Sequence, residues 1–411
     1  MTLQLGLRPN IAQFSLLVLI NAFVGAMVGM ERSILPLIAE QDFGLASHSA
    51  ILSFLISFGI VKAFSNLLAG RYSDKFGRKK LLVTGWIFGI PVPFMLMWAP
   101  SWTWVVLANV LLGVNQGLCW STTVIMKSDL AGAKQRGLAM GLNEFSGYLA
   151  VALAAYFSAL IAELYGLRPF PFYLGVGFSM MGFLLSVFLV KETQEFIKLE
   201  SSFVTNTAHS SYQDQLTFKD VFSRTSWRDK NLFSCSQAGL VNNLNDGMAW
   251  GLFPLFFASI GFSLHNIGFL TAIYPATWGV TQLITGAVSD KVGRKWMIAG
   301  GMWLQAVGIW MIASVEDLSY QVIAGLLLGI GTAMVYPALL AAVGDAAHPS
   351  WRATAVGVYR LWRDLGYALG AVLSGVIADV LGLRSAIVVI GILTFLSGTG
   401  VAAQFKENKQ L

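Results

Sequence analysis

The 411-residue chain is 56% hydrophobic and 12% charged, with 42 glycines and a mean hydropathy of +0.66, against about 45–50% apolar and about 25% charged for soluble domains. Its 27 basic and 21 acidic side chains are too few to coat the roughly two or three soluble domains such a length would form, so apolar surface must face lipid. The net charge of +6 gathers in short clusters between apolar runs, without an exposed aromatic-interleaved patch, which excludes a nucleic-acid partner and leaves topology as its meaning.

A spanning helix needs about 20 mostly apolar residues. In chain order the sequence predicts twelve: Ile11–Ile38, Ala50–Leu68, Leu81–Trp98, Trp102–Met126, Gly137–Ala162, Pro171–Val190, Leu232–Ile260, Ile267–Val288, Met297–Val315, Tyr320–Val343, Ala353–Ala378 and Ala386–Phe405. Arg8 alone precedes the first, with no small-x-small cleavage pattern, so that span reads as retained and not as a signal peptide. The segments on the N-terminal side of the membrane hold twenty-one Lys and Arg, from Arg8 and the Arg71–Lys80 cluster to Lys409, whereas the opposite loops hold Arg168 and Arg384. Cytoplasmic loops carry the Lys/Arg excess, so both termini are expected in the cytoplasm of an inner, or plasma, membrane. The polar stretch 191–230 divides the chain into 1–190 and 231–411 and reads as a linker, with room for a short amphipathic helix on the membrane surface. Cys119 and Cys235 sit far apart in apolar runs, and the four histidines lie in predicted loops, so no metal site is expected.

The sequence repeats itself at an offset of 216. Gly70, Ser73, Asp74, Lys75, Gly77, Arg78 and Lys79 return as Gly286, Ser289, Asp290, Lys291, Gly293, Arg294 and Lys295; Asp129, Arg136 and Gly141 return as Asp345, Arg352 and Gly357; Gly166-Leu167-Arg168 returns as Gly382-Leu383-Arg384. A gapless register over so long a stretch marks a duplicated six-helix unit. The fold class expected is thus an all-α membrane protein of 12 transmembrane helices in two pseudo-symmetric six-helix bundles.

The run Gly70 to Lys80 resembles the loop between the second and third helices of the major facilitator superfamily, and Gly286 to Trp296 is similar to its second copy. The resemblance implies a transporter whose halves rock around a central cavity, with Asp74, Arg78, Asp290 and Arg294 taking part in charge contacts that latch one side. Asp129 is a plausible acidic partner for Arg78, and the repeat adds Arg136, Asp345 and Arg352 to the same group.

Ionisable groups at bilayer depth cost about +2.5–3.5 kcal/mol on insertion scales, so each needs a partner, a wet cavity or a function. The bases are Arg32, Lys62, Arg360 and Arg363; the acids are Glu31, Glu144, Asp246 and Asp364. Arg360 and Asp364 share a helical face and can pair, leaving Arg363 for an anionic group. The nearly continuous patch Asn242, Asn243, Asn245 and Asp246, followed by Gly247, belongs beside water or solute. A carboxylate in such a cavity is disfavoured in its charged form by desolvation and favoured by a nearby cation, which makes Glu31, Glu144 and Asp246 candidates for proton coupling. Asn21, Arg32, Asn115, Gln116, Trp120, Tyr148, Asn242, Asn243, Trp250, Tyr274, Tyr336, Arg360 and Arg363 are the candidates for solute binding. Since the family packs its second helix on its eleventh, Lys62 is expected to pair with Asp364.

Drug/proton antiporters of the superfamily carry an arginine three residues before a Gln-Gly pair in helix four and Gly-Pro in helix five; this chain has Gly113 before Gln116-Gly117, and Gly147-Tyr148. Expected, therefore, is a secondary transporter of a small polar or anionic organic solute, acting as antiporter or symporter. It is not expected to be an enzyme, for no nucleophile-base pair or phosphate loop appears, and no cofactor is expected, a proton gradient supplying the drive. Multidrug/proton antiport is the alternative. The expected partners are the lipid bilayer and the solute, with the chain a monomer.

Overall fold

The computed structural model describes residues 4–131, 136–196, 216–347 and 351–407; for 70, 71, 74, 75, 136–138, 286, 287, 290, 291, 352 and 353 it describes the backbone only. The described residues are nearly all helical: α1 (Ile11–Arg32), α2 (Leu35–Gln41), α3 (His48–Ile51), α4 (Ser53–Phe76), α5 (Arg78–Gly89), α6 (Pro91–Met97), α7 (Trp102–Ala131), α8 (Arg136–Tyr165), α9 (Tyr173–Phe188), α10 (Phe218–Ser223), α11 (Lys230–Ser259), α12 (Leu264–Val292), α13 (Arg294–Ser314), α14 (Leu318–Ala346), α15 (Arg352–Leu381) and α16 (Leu383–Gln404). Among them, nine helical stretches are long and apolar enough to cross a membrane; α4 carries a shorter apolar stretch, Ser53–Ala69.

Local chemistry sets the breaks. The first predicted span is two helices, because Pro36 in the first turn of α2 lacks the N–H a continuing helix would use, and Pro91 separates α5 from α6 in the same way. Other helices outrun their apolar cores. α7 continues to Ala131, so Lys127, expected in a loop, is buried within it and donates from Nζ to the Leu17 carbonyl at 3.3 Å.

The repeat is visible in the helix ends. α8 begins and ends 216 positions before α15, α7 begins 216 before α14, and α4 ends 216 before α12. The turns between them use the same device, a glycine with positive φ: Gly77 at 89° and Gly293 at 97°, Gly166 at 91° and Gly382 at 84°.

Helices of one copy meet over small residues. α1 crosses α8 with Gly25 against the Gly147 backbone, and α11 crosses α15 with Gly247 against the Tyr367 carbonyl. Between copies, α4 packs on α15 and α8 on α12, the same exchange in both directions. Part of the polar stretch 191–230 is docked and not free: α10 and the turn after it pack on α15, where Trp362 Nε1 donates to Ser226 Oγ at 2.9 Å. Residues 197–215 lie outside the described residues.

Candidate transport cavity

Two adjoining recesses lie where α4, α7, α8, α11 and α15 converge, sharing Lys62, Trp120, Tyr148 and Arg363. One is polar and adds Asn66, Ser121, Glu144, Tyr336, Arg360 and Asp364. The other adds Phe58, Gln116, Asn243, Asp246, Trp250 and Tyr367. Three bases and three acids thus face one space between the two copies.

The acids are engaged by protein donors. Glu144 Oε1 accepts from Trp120 Nε1 at 3.1 Å and from Asn143 Nδ2 at 2.8 Å. Asp246 Oδ1 accepts from the Tyr274 hydroxyl, and Asp364 Oδ2 from Asn66 Nδ2 at 2.8 Å. Arg363 is held on the second copy by Asn243 Oδ1 at 3.3 Å and the Tyr336 hydroxyl at 2.9 Å, with its guanidinium carbon 4.3 Å from the Tyr336 ring centre. Among the described residues, Arg360 Nε is buried without an acceptor, and Lys62 Nζ has the Phe58 ring 5.7 Å away and no hydrogen-bond acceptor.

An aromatic belt runs across the cavity wall from one copy to the other. Trp120 and Tyr148 stand 5.5 Å apart, Tyr148 and Trp278 3.6 Å, Trp278 and Tyr336 6.0 Å, and Trp278, Tyr274 and Trp250 follow at 6.0 Å intervals. Tyr274 and Trp250 also line an adjacent apolar hollow.

Several sequence candidates point elsewhere. Glu31 and Arg32 pair with each other at 3.1 Å, wholly buried beside the cavity. Asn109 donates to Glu31 at 3.2 Å, and Arg32 lies among the Phe54, Phe58 and Tyr367 rings. Asn21 ties α1 to α8 through the Asn143 carbonyl at 2.8 Å and accepts from Thr123 at 2.9 Å. Asn115 donates to the Gly85 carbonyl at 3.0 Å, facing α5. Asn242 and Asn245 both face Gln305, at 3.0 and 2.8 Å. These groups staple helices and do not line the recesses.

The expected Lys62–Asp364 contact is also corrected: no ion pair within 4.0 Å joins them among the described residues, because Asn66, one turn beyond Lys62, takes the carboxylate. Nor does Arg360 pair with Asp364. Asn66 and Ser121, joined at 2.7 Å, were not singled out by sequence. The i, i+4 spacing of Lys62 and Asn66 on a helix carrying a buried charge is the signal that could have found Asn66.

The loop residues form twin clusters. Arg78 Nε lies 3.3 Å from Asp129 Oδ2 and Arg294 Nε 3.3 Å from Asp345 Oδ2, both within one copy. The side chains of Asp74, Arg136, Asp290 and Arg352 lie outside the described residues. Glu192 caps α5, accepting from the Arg78 and Lys79 amides at 3.1 and 3.0 Å and from those of Thr193 and Gln194 at 2.9 and 3.3 Å. Partial burial pushes its carboxyl up, but these amides outweigh it and hold the group below the usual glutamate range.

The two ends of the α4–α15 and α8–α12 seams differ. At the end bearing Arg32, Asp379 of α15 accepts from the Ser47 hydroxyl at 2.9 Å, the His48 amide at 2.5 Å, and the Ser49 amide and hydroxyl at 3.1 and 2.5 Å. At the end bearing Gly77, a methyl on Gly141 would meet only Leu283, at 3.9 Å, and one on Gly357 nothing within 4 Å. The cavity is therefore sealed at the Arg32 end, and the copies diverge toward the other. Among the described residues, no group of three or more His, Cys, Asp or Glu side chains is placed to hold a metal ion.

The family model of the Major Facilitator Superfamily matches residues 17–233 and 236–409. The chain is 22% identical over 371 residues to the multidrug resistance protein MdtG of Proteus mirabilis, covering 88% of each chain. It is 26% identical over 372 residues to the uncharacterized MFS-type transporter YddS of Bacillus subtilis, covering 88% of this chain and 84% of that one. Among solved structures, a bacterial homologue of the human lysosomal transporter Spinster, inward-facing and unoccupied, superposes with a TM-score of 0.72 at 15% identity, over 95% of this chain and 96% of that chain. The nucleoside transporter NupG superposes at 0.73 and 14% identity, over 96% and 100%.

Proposed function

As the chain belongs to the major facilitator superfamily and is a membrane transporter, we propose that it moves a small polar or anionic organic solute by alternating access, coupled to protons. What carries this reading is one observation: Lys62, Arg360 and Arg363 share a cavity between the copies with Glu144, Asp246 and Asp364. Ionisable groups are costly at bilayer depth, and six around one space are accounted for by a solute that uses them. Asp246 and Glu144 are the proton carriers in this reading, since both line the cavity and each is held by donors of its own copy. Glu31, bound to Arg32 beside it, is not.

The Lys/Arg asymmetry supports both termini lying in the cytoplasm of the inner membrane, and in this reading the sealed Arg32 end faces outward. Segments 1–190 and 231–411 then move as two bodies within a monomer, hinged along the α4–α15 and α8–α12 seams. The Arg78–Asp129 and Arg294–Asp345 clusters lie on the cytoplasmic side, where outward opening brings the two copies together.

Drug export is a second reading, favoured by the likeness to MdtG and by the aromatic belt. Against it, the position where the family's antiporters carry an arginine is Gly113, whose Cβ would stand 2.9 Å from the Phe58 carbonyl; a long side chain has no room there.

Proteoliposomes with a trapped pH dye, challenged with organic anions, amino acids and lipophilic cationic drugs, separate these readings. Solute-dependent proton flux is expected with polar or anionic compounds, lost in Asp246→Asn or Glu144→Gln. Solute flux indifferent to a pH gradient would contradict proton coupling, and flux confined to lipophilic cations would establish drug export.

A further inference from the structure

We infer that the solute is an organic monoanion with a flat apolar body, an aromatic carboxylate, whose head lies between Lys62 and Arg360 and whose body lies on the Trp120–Tyr148 wall. This rests on the transport reading of the same cavity and adds to it the class of solute.

Among the described residues, the buried side-chain polar atom of the two recesses that lacks a partner is a donor, Arg360 Nε. Each of the three acids already accepts from a protein donor, Glu144 from two. Arg363 is held by Asn243 and Tyr336. Arg360 has a buried Nε with no acceptor, and Lys62 has none for its ammonium, although both line the polar recess. Buried donors without acceptors cost free energy until a ligand supplies them, and a guanidinium opposite an ammonium is matched by a carboxylate. A cationic solute would be repelled by these two bases, and each acid it could pair with already accepts from Trp120 and Asn143, Tyr274 or Asn66 at one of its oxygens.

The charge balance sets the valence. Three bases and three acids sum to zero, so one added negative charge is neutralised by one proton on Asp246 or Glu144, while a dianion would need both acids protonated at once. The body follows from the wall: Trp120, Tyr148 and Tyr336 line the same recess as Lys62 and Arg360, with Trp278 packed behind Tyr148 at 3.6 Å. Flat aromatic faces there suit a planar apolar group.

The test is calorimetric binding to the purified full-length chain with three probes of one shape: 2-naphthoate, its neutral amide 2-naphthamide, and 2-naphthylmethylammonium. Saturable binding is expected for naphthoate alone, weakened about tenfold or more by Arg360→Gln and by Lys62→Gln, and largely kept by Arg360→Lys. The comparison among probes needs no variant, so it holds where a variant fails to fold. Binding of the ammonium or the amide as tightly as naphthoate, or naphthoate affinity unmoved by Arg360→Gln in a folded variant, overturns the inference. The same protein in proteoliposomes separates the two levels. Arg360-dependent naphthoate binding without flux supports the anion site and contradicts transport, whereas flux of a cationic drug with no naphthoate binding contradicts the site and leaves transport standing.

Discussion

Arg32 is a fully buried charged group: its only ionic partner among the described residues is Glu31 at 3.1 Å, and three aromatic rings lie within about 6 Å of its guanidinium carbon. Breaking such a pair by removing one partner strands the other charge and costs about 3–5 kcal/mol, whereas replacing both by apolar groups of similar size is nearly neutral. Arg32→Met or Glu31→Leu alone is therefore expected to lower the thermal midpoint of the purified protein sharply, and the double variant to restore most of it. A double variant no better than the singles would show that the cage acts otherwise. The sequence marked both residues by their depth but not by their direction, because depth is read from the apolar run while direction needs the helix's rotation. The patch on α11 shows the same limit. Four polar residues in five positions cannot share a face at about 100° per residue. Asn243 and Asp246 turn to the cavity, and Asn242 and Asn245, also three apart, turn to Gln305.

At the scale of elements, more was legible, because the repeat supplies two readings of each boundary. Gly77 and Gly293 end their helices with positive φ where the copies of the loop agree, and α8 and α15 share their limits across the 216-residue shift. The breaks at Pro36 and Pro91 were missed, since a short apolar run crosses each and hydropathy does not register a lost N–H. Another cap outside the apolar runs is Glu192 on α5. Its carboxyl is held below the ordinary value of 4.5, so the stability it contributes is present in full above that value and is lost as pH falls through the depressed one. The gap in thermal midpoint between the natural chain and Glu192→Gln is expected to stay constant from about pH 7 to about pH 5 and to close below the usual glutamate range. A gap that persists unchanged to about pH 3 would mean the side chain acts through packing and not through its charge.

At the scale of the molecule, the two ends of the seam explain why the cavity can be a path. One end is sealed by backbone-close packing and by Asp379 gripping the start of α3, and at the other the equivalent glycines Gly141 and Gly357 stand apart. Alternating access requires that the seal part. A disulfide across it should hold the protein in one state, and Gly375 and Ser49 are close enough for one: a Cβ on Gly375 would lie 3.3 Å from Ser49 Cβ and 2.9 Å from Ser49 Cα, so the start of α3 must ease outward by a few tenths of an ångström to admit the bridge. The native cysteines, Cys119 and Cys235, are buried and do not compete. The decisive measurement is solute flux in proteoliposomes carrying Ser49→Cys/Gly375→Cys, before and after reduction. Flux at the level of protein-free vesicles while oxidised, recovered on reduction, is the predicted result; flux undiminished in the fully cross-linked protein would contradict a path that opens between the two copies.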